Sequence, residues 1–208
     1  MKSPSKFVLS CGAFGVLAAV GFQASTLKFG SVDSIGVYNR SDAAGRQQEI
    51  VKNLQQARGG LLEFINTYAM MRPEDAQRLK ELTIKDPQTD ADKNAAQGVR
   101  DAAIKAEARM RELQTKQNLT DAERTELTAY NNNRQANLGL LGRWEQDFVE
   151  ELRGKIDAYR AESLVKVRQA VAQVGREGAY TIIFDQQVAP FAGTDVTAEA
   201  LKAMNKIK

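Results

Sequence analysis

The chain has no histidine, a single cysteine and only four prolines among its 208 residues. Without histidine, the usual acid–base, zinc and haem chemistries lose their commonest ligand and proton carrier. One cysteine permits neither an internal disulfide nor a thiolate cluster. No enzyme, cofactor or metal site is expected from this composition. An excess of one charge is missing as well, since 29 Lys and Arg face 26 Asp and Glu. What is present is a 43% hydrophobic content in periodic pieces, which points to a helical rather than an all-strand protein.

Lys2 and Lys6 precede an apolar run from Phe7 to Phe22, followed by Gln23, Ala24, Ser25 and Thr26. A short basic head, a run below the roughly 20 residues that span a bilayer and a small-residue exit describe a secretory signal peptide over residues 1–24. Cleavage is expected after Ala24, with Ala19 and Gly21 as the alternative pair. A retained membrane anchor is the other reading. Only four residues separate Cys11 from Lys6, too few for a lipoprotein cysteine, and it leaves with the leader. Lys2 and Lys6 leave too, so the remaining charge is near neutral. Neither nucleic-acid binding nor strong attraction to an anionic membrane is expected of it.

Residues 25–41 contain a strand candidate at Leu27–Val32, then a turn or short helix. From Asp42 the pattern is helical. Ile50, Leu54, Ala57, Leu61, Phe64, Tyr68 and Met71 alternate steps of four and three, the seam of a left-handed coiled coil. Gly59-Gly60 lies within it and is expected to let backbones approach closely. Pro73 predicts a kink or a fresh helix start with Glu74 and Asp75 in its first turn. Asp86-Pro87 marks another break over 86–90. Helix resumes along Val99, Ala103, Ala106, Met110 and Leu113.

Thr120 and Glu123 have capping-box spacing, with Leu119 placed as a staple. The helix they open runs to about Arg176, on a stripe of Leu141, Trp144, Phe148, Leu152, Ile156, Tyr159, Ser163, Val167, Val171 and Val174. Its mean step is longer than a heptad's, so the pair of limbs is expected to be splayed rather than uniformly wound. ELTIKDPQTDAD near 81–92 echoes ELQTKQNLTDAE at 112–123. Either could be the tip of a helical hairpin. A tip near 118–120 gives the better-balanced limbs, with bends near 73 and 86–90, and a limb of about 60 residues extends roughly 90 Å.

After Gly178 the period becomes extended: Tyr180–Phe184 reads as a strand, and Val188–Ala192 as a second, with Pro190 at an edge or bulge. Thr197 is expected to cap a short helix from Ala198 to about Asn205. Residues 177–208 and 25–41 thus form one small β/α body from both chain ends. Its strands are too few for a good sheet in one chain, so oligomerisation is expected to complete it. The fold class is mainly α: a long helical arm on that body.

The segment GAYTIIFDQQVAPFAGTDVTAEALKAMNK resembles the closing signature of the OmpH/Skp family of periplasmic outer-membrane-protein chaperones. There a strand and a loop precede an Asp–hydrophobic–Thr triplet, here Asp195, Val196 and Thr197, and a helix with Leu near its end, here Leu201. KFGSVDSIGVYNRS resembles that family's opening strand, and Leu119–Glu123 the start of its returning helix. The resemblance implies a periplasmic homotrimer that pools its terminal strands and holds unfolded outer-membrane proteins between its arms without ATP. Its implied partners are other copies of itself and those clients, with transient membrane proximity and no nucleic acid. The chain departs from the family in two respects. Residues 42–176 carry 22 basic and 21 acidic side chains rather than a basic excess, and the outgoing limb is longer.

On this reading Phe29, Val32, Ile182, Ile183 and Phe184 build the oligomeric body. Phe64, Tyr68, Trp144 and Phe148 are arm core or face the client. Tyr130, Tyr159, Met70 and Met110 are candidates for client contact, the methionines because their side chains adapt. An oligomeric coiled-coil spacer of the cell envelope, with its leader retained, is the alternative.

Overall fold

The computed structural model describes residues 27–207; the expected leader, with Cys11, lies outside them. The chain is predominantly α-helical with a small open sheet. In order it forms β1 (Phe29–Val32), α1 (Ser34–Asn39), α2 (Asp42–Thr67), α3 (Pro73–Ile84), α4 (Asp90–Thr115), α5 (Asp121–Glu177), β2 (Ile182–Asp185), β3 (Thr194–Asp195) and α6 (Thr197–Met204).

The sheet order is β2-β1-β3 and both pairings are parallel. Phe29 lies opposite Ile182, and Ser31 opposite both Phe184 and Asp195. Strand alternation then divides the two faces. Val32 and Ile183 point into a core with Val167, Ala170 and Val174 of α5 and Val196, Ala200 and Ala203 at the C-terminal end. Phe29, Ile182 and Phe184 share the opposite face, where the Phe29 and Phe184 rings sit 6.3 Å apart.

Side chains sew the two chain ends together. Thr197 accepts a hydrogen bond from the Asp33 N–H at 2.9 Å, and Asp33 in turn caps α1 by accepting from the Gly36 N–H. The expected strand at Val188–Ala192 is turn instead, with the Val188 and Ala189 amides returning to the Asp185 carbonyl. The third strand follows it, at Thr194–Asp195, because Gly193 at φ 142° brings the chain against Phe29, where any Cβ would lie 2.2 Å from the carbonyl oxygen. Thr197 is likewise the first residue of α6 rather than its cap. Asp195 supplies the cap interaction, accepting from the Thr197 N–H at 2.9 Å and from its hydroxyl.

The 57-residue helix α5 would measure about 85 Å at 1.5 Å per residue. α2 lies along it in the opposite direction: Gln47 meets Ser163, Arg58 meets Glu151, and Asn137 meets Ala69 and Met71. The buried line of α2 is Ala44, Gln47, Arg58, Leu61 and Ile65, with Val51 and Leu54 half-buried. That is again a three–four alternation, but turned from the expected seam, leaving Ile50 exposed. The rotation is possible because Gln47 and Arg58 find polar partners on α5 and can be buried. Gly59 and Gly60 face open space, so they do not serve close backbone approach.

Pro73 is the first residue of α3, with Glu74 and Asp75 in its first turn. Residues 69–71 lie at Asn133 and Asn137, whereas Lys80 lies at Trp144 and Asp147. So α3 travels back along α5, opposite to α2. Where a bend was expected at 86–90 the chain turns again, and α4 packs on α3 as it runs outward. It passes Phe64, on which Arg100 stacks at 4.6 Å, and reaches Glu126, which binds Arg109. From α2 to α4 the chain thus runs out, back and out again along α5.

Arg58 is buried and bonded through two nitrogens to Glu151, at 3.1 and 3.0 Å. Arg58→Ala or Glu151→Ala alone is expected to cost about 2 kcal/mol, because each strands a partly desolvated charge. The double variant Arg58→Met/Glu151→Leu should recover most of that loss. Thermal unfolding of all three checks the cycle, and equal losses in single and double variants would contradict it.

Candidate interaction surfaces

Three regions carry most of the side chains singled out from the sequence. The first is the outer sheet face. Phe29 is 38% and Ile182 45% exposed, and Phe184, two residues further along β2, is half-buried. Leu27 and Val188 are also exposed, and Phe191, in the turn before β3, is 98% exposed. Phe191 went unrecognised in sequence because a lone Phe between Pro190 and Gly193 carries no periodic signal. Val32 and Ile183 belong to the inner face, with the core.

The second is the knot where α2, α3, α4 and α5 meet. Leu61, Ile65, Met71, Ala76, Leu79, Trp144 and Phe148 are buried together. Phe64 and Tyr68 stack at 4.6 Å on its margin. Cations close over the rings: Lys80 lies 4.8 Å from the Trp144 ring centre and 5.6 Å from that of Phe148, and Arg58 lies 5.5 Å from the latter. The α2–α3 reversal is held from α5. Asn137 donates to the Ala69 and Met71 carbonyls at 2.8 Å and Asn133 to that of Met70 at 3.2 Å, while the buried Asn137 Oδ1 has no protein partner. Met70 and Met110, expected to meet a client, are 5% and 4% exposed and fill the interior. Met70 is enclosed because its reversal is tied to α5, and Met110 because it lies on the inward line of α4 with Ala96, Ala103 and Leu113.

The third is a groove of about 270 Å³ between α2 and α5, lined by Tyr38, Gln47, Gln48, Val51, Lys52, Gln55, Ile156 and Tyr159. Glutamines face the α5 stripe here, so the helices part and Tyr159 is half-exposed. Tyr130 belongs to none of the three. Its hydroxyl donates to Glu126 at 3.1 Å beside Arg109, and burial, then Glu126, pushes its pKa above the usual phenol value. Arg109 binds Glu126 and Glu112, which raise its own pKa.

The two echoing sequence segments become two matching turns. At each, a lysine lies four residues before the capping threonine and seven before an acid: Lys85, Thr89 and Asp92, then Lys116, Thr120 and Glu123. Both capping boxes form, and both lysines bind the acid, at 2.8 and 2.6 Å. Lys85 and Thr89 hold the Asp92 carboxyl down at about 2, and Lys116 and the Thr120 N–H do the same for Glu123. The Asp195 carboxyl is also lowered, first by the Thr197 hydroxyl. With Val196 buried and Leu201 half-buried, the segment from Asp195 to Leu201 is a structural clasp.

Among the described residues no group of three or more His, Cys, Asp or Glu is placed to hold a metal ion, and no helix is long and apolar enough to cross a membrane. No protein-family model, curated protein or solved structure matches the chain.

The lowered carboxyls fix the sign of a pH effect. Their stabilisation is complete above the ordinary carboxylate range, near about 4, and is lost as pH falls through the folded value. Glu123→Gln should therefore lower the melting temperature at pH 6, and the gap to the unsubstituted chain should close as pH approaches 2. A gap independent of pH would show that the charge on Glu123 plays no part.

Proposed function

We propose that the protein is an ATP-independent holdase of the cell envelope, which shields unfolded outer-membrane β-barrel proteins before they reach their membrane. In this reading α2–α5 form a hairpin arm, and three copies join through their sheets so that the arms enclose a space. One observation carries it. Both chain ends meet in a small open sheet whose outer face leaves Phe29 and Ile182 exposed, at the root of a long helical excursion. An apolar face at an open sheet edge favours association.

The chemistry asked of such a protein is modest. A barrel protein out of its membrane exposes alternating apolar residues that pair as sticky strands. Many weak apolar contacts hold such a chain and still release it when lipid offers better burial, at about 25 cal/mol per Å². Exposed Val149, Leu164 and Val165 on α5, Ile104 on α4 and the Tyr159 groove would supply those contacts. The near-neutral arms make the contacts apolar rather than electrostatic. Export to the periplasm rests on the leader read in residues 1–24. The spacer reading is favoured by a different observation: Trp144, Phe148, Met70 and Met110 are all turned inward, as a purely structural rod would have them.

Dilution of a urea-unfolded barrel protein into nucleotide-free buffer with the purified chain separates the two. A holdase keeps it soluble; a spacer does not. Mass measurement in solution is expected to give a trimer. Phe29→Ser/Ile182→Ser should shift it to monomer with little loss of helix, since both side chains are already partly exposed. A monomer before substitution would remove the basis for an enclosed space.

A further inference from the structure

We propose that α3 is a releasable cover over an apolar cleft between α2 and α5, and that an unfolded client segment displaces it. This rests on the holdase reading and adds to it where the strongest binding surface lies. The cleft is lined by Leu61, Ile65, Trp144 and Phe148, all closed off in the present conformation. What closes it is a 12-residue helix with only two fully buried side chains, Ala76 and Leu79.

Several features make α3 the separable piece. A helix this short is marginal on its own, so once out of the cleft it unfolds rather than persisting as a rod. Its N-cap, Arg72, makes no side-chain cap bond. It is bounded by the non-helical segments 68–72 and 85–89. The stretch 68–89 could extend to roughly 70 Å, against about 18 Å for α3 as a helix, so its connections to α2 and α4 are long enough to let it leave. α4 keeps its own attachments, through Arg100 on Phe64 and Arg109 on Glu126.

Beyond the burial of Ala76 and Leu79, the ties of this segment to α5 are polar and local. Asn133 and Asn137 hold the carbonyls of residues 69–71, and Lys80 reaches Asp147 only at 4.0 Å. The occupant that fits is an apolar, aromatic-bearing stretch of an unfolded polypeptide, because it can replace Leu79 and Ala76 against the same rings. α3 would then be a resident stand-in for the client, keeping Trp144 and Phe148 from self-association until a competing chain arrives. The return path along α5 gives it this position; a straight outgoing limb would have left the rings bare.

Trp144 is the chain's one tryptophan and lies under α3, so it reports on the cleft directly. In the full chain, hydrogen exchange should show the amides of α3 opening faster than those of α2 and of α5 around residues 144–163. Asn137→Ala, which removes two hydrogen bonds from the closed state, should speed α3 exchange about tenfold. It should tighten binding of a tryptophan-free, urea-unfolded barrel protein by a similar factor, since the competent state becomes more populated. In the unsubstituted chain that client should change the Trp144 emission and its acrylamide quenching. Equal protection of α3 and its neighbours overturns the proposal, even if Asn137→Ala fails to fold. So does a client that is held soluble while Trp144 stays shielded, an outcome that leaves the holdase reading intact. Failure to hold any client, by either form, removes the holdase reading and this inference with it.

Discussion

Everything in this molecule answers to one constraint: α5 is a single helix of 57 residues whose apolar stripe cannot be buried by the helix itself. The stripe advances by more than a heptad's step, so no one straight partner can follow it from end to end. The chain meets this with a succession of partners. β2 and α6 cover the root, α2 the next stretch, α3 the region of Trp144 and Phe148, and α4 the far end. The fold is a relay of short solutions to one long problem.

Between the body core and the aromatic knot the relay is thinnest. There α2 offers Gln47 and Arg58 on either side of the half-buried Val51 and Leu54, and its hydrogen bonds to α5 are those to Ser163 and Glu151. Such contacts are geometrically selective but contribute little net energy. Gly59, Gly60 and Gly154 lie at the same level with no neighbour that would meet a Cβ. Stability is therefore concentrated in two places, with a polar section between them that sets register rather than strength.

Much of this was legible in the sequence. The helical stripe of α5, the fresh start at Pro73, the capping box at Thr120 and a body built from both chain ends all follow from local patterns. Two things were not. Leu54 and Leu61 of the expected α2 seam lie on its buried line, but Ile50, Ala57 and Phe64 were read one residue away from Val51, Arg58 and Ile65, because Gln47 and Arg58 count as surface residues until their partners on α5 are known. The return of α3 was read as a bend because a break in periodicity marks where a helix ends, not which way the next one points. Yet the echo of Lys, Thr and acid around both breaks announced that they are the same kind of turn. Among the site residues, Phe29 and Ile182 could be placed on a sheet, whereas the enclosure of Met70 depends on Asn133 and Asn137, more than 60 residues away. The third strand was missed because its position depends on Gly193 meeting Phe29, a contact no local pattern encodes.

The sheet has a consequence for how the protein comes into being. The Lys28 amide bonds to Thr181 across a separation of 153 residues, and β3 lies further on still. During synthesis the first strand emerges with an unpaired edge on either side and waits for nearly the whole remaining chain before a neighbour exists. Contacts so distant in sequence form slowly, so the helices are expected to assemble first and bring the two ends together last. Until then that opening strand is the most vulnerable part of the nascent molecule, the point at which an early chaperone or an errant pairing would make the greatest difference.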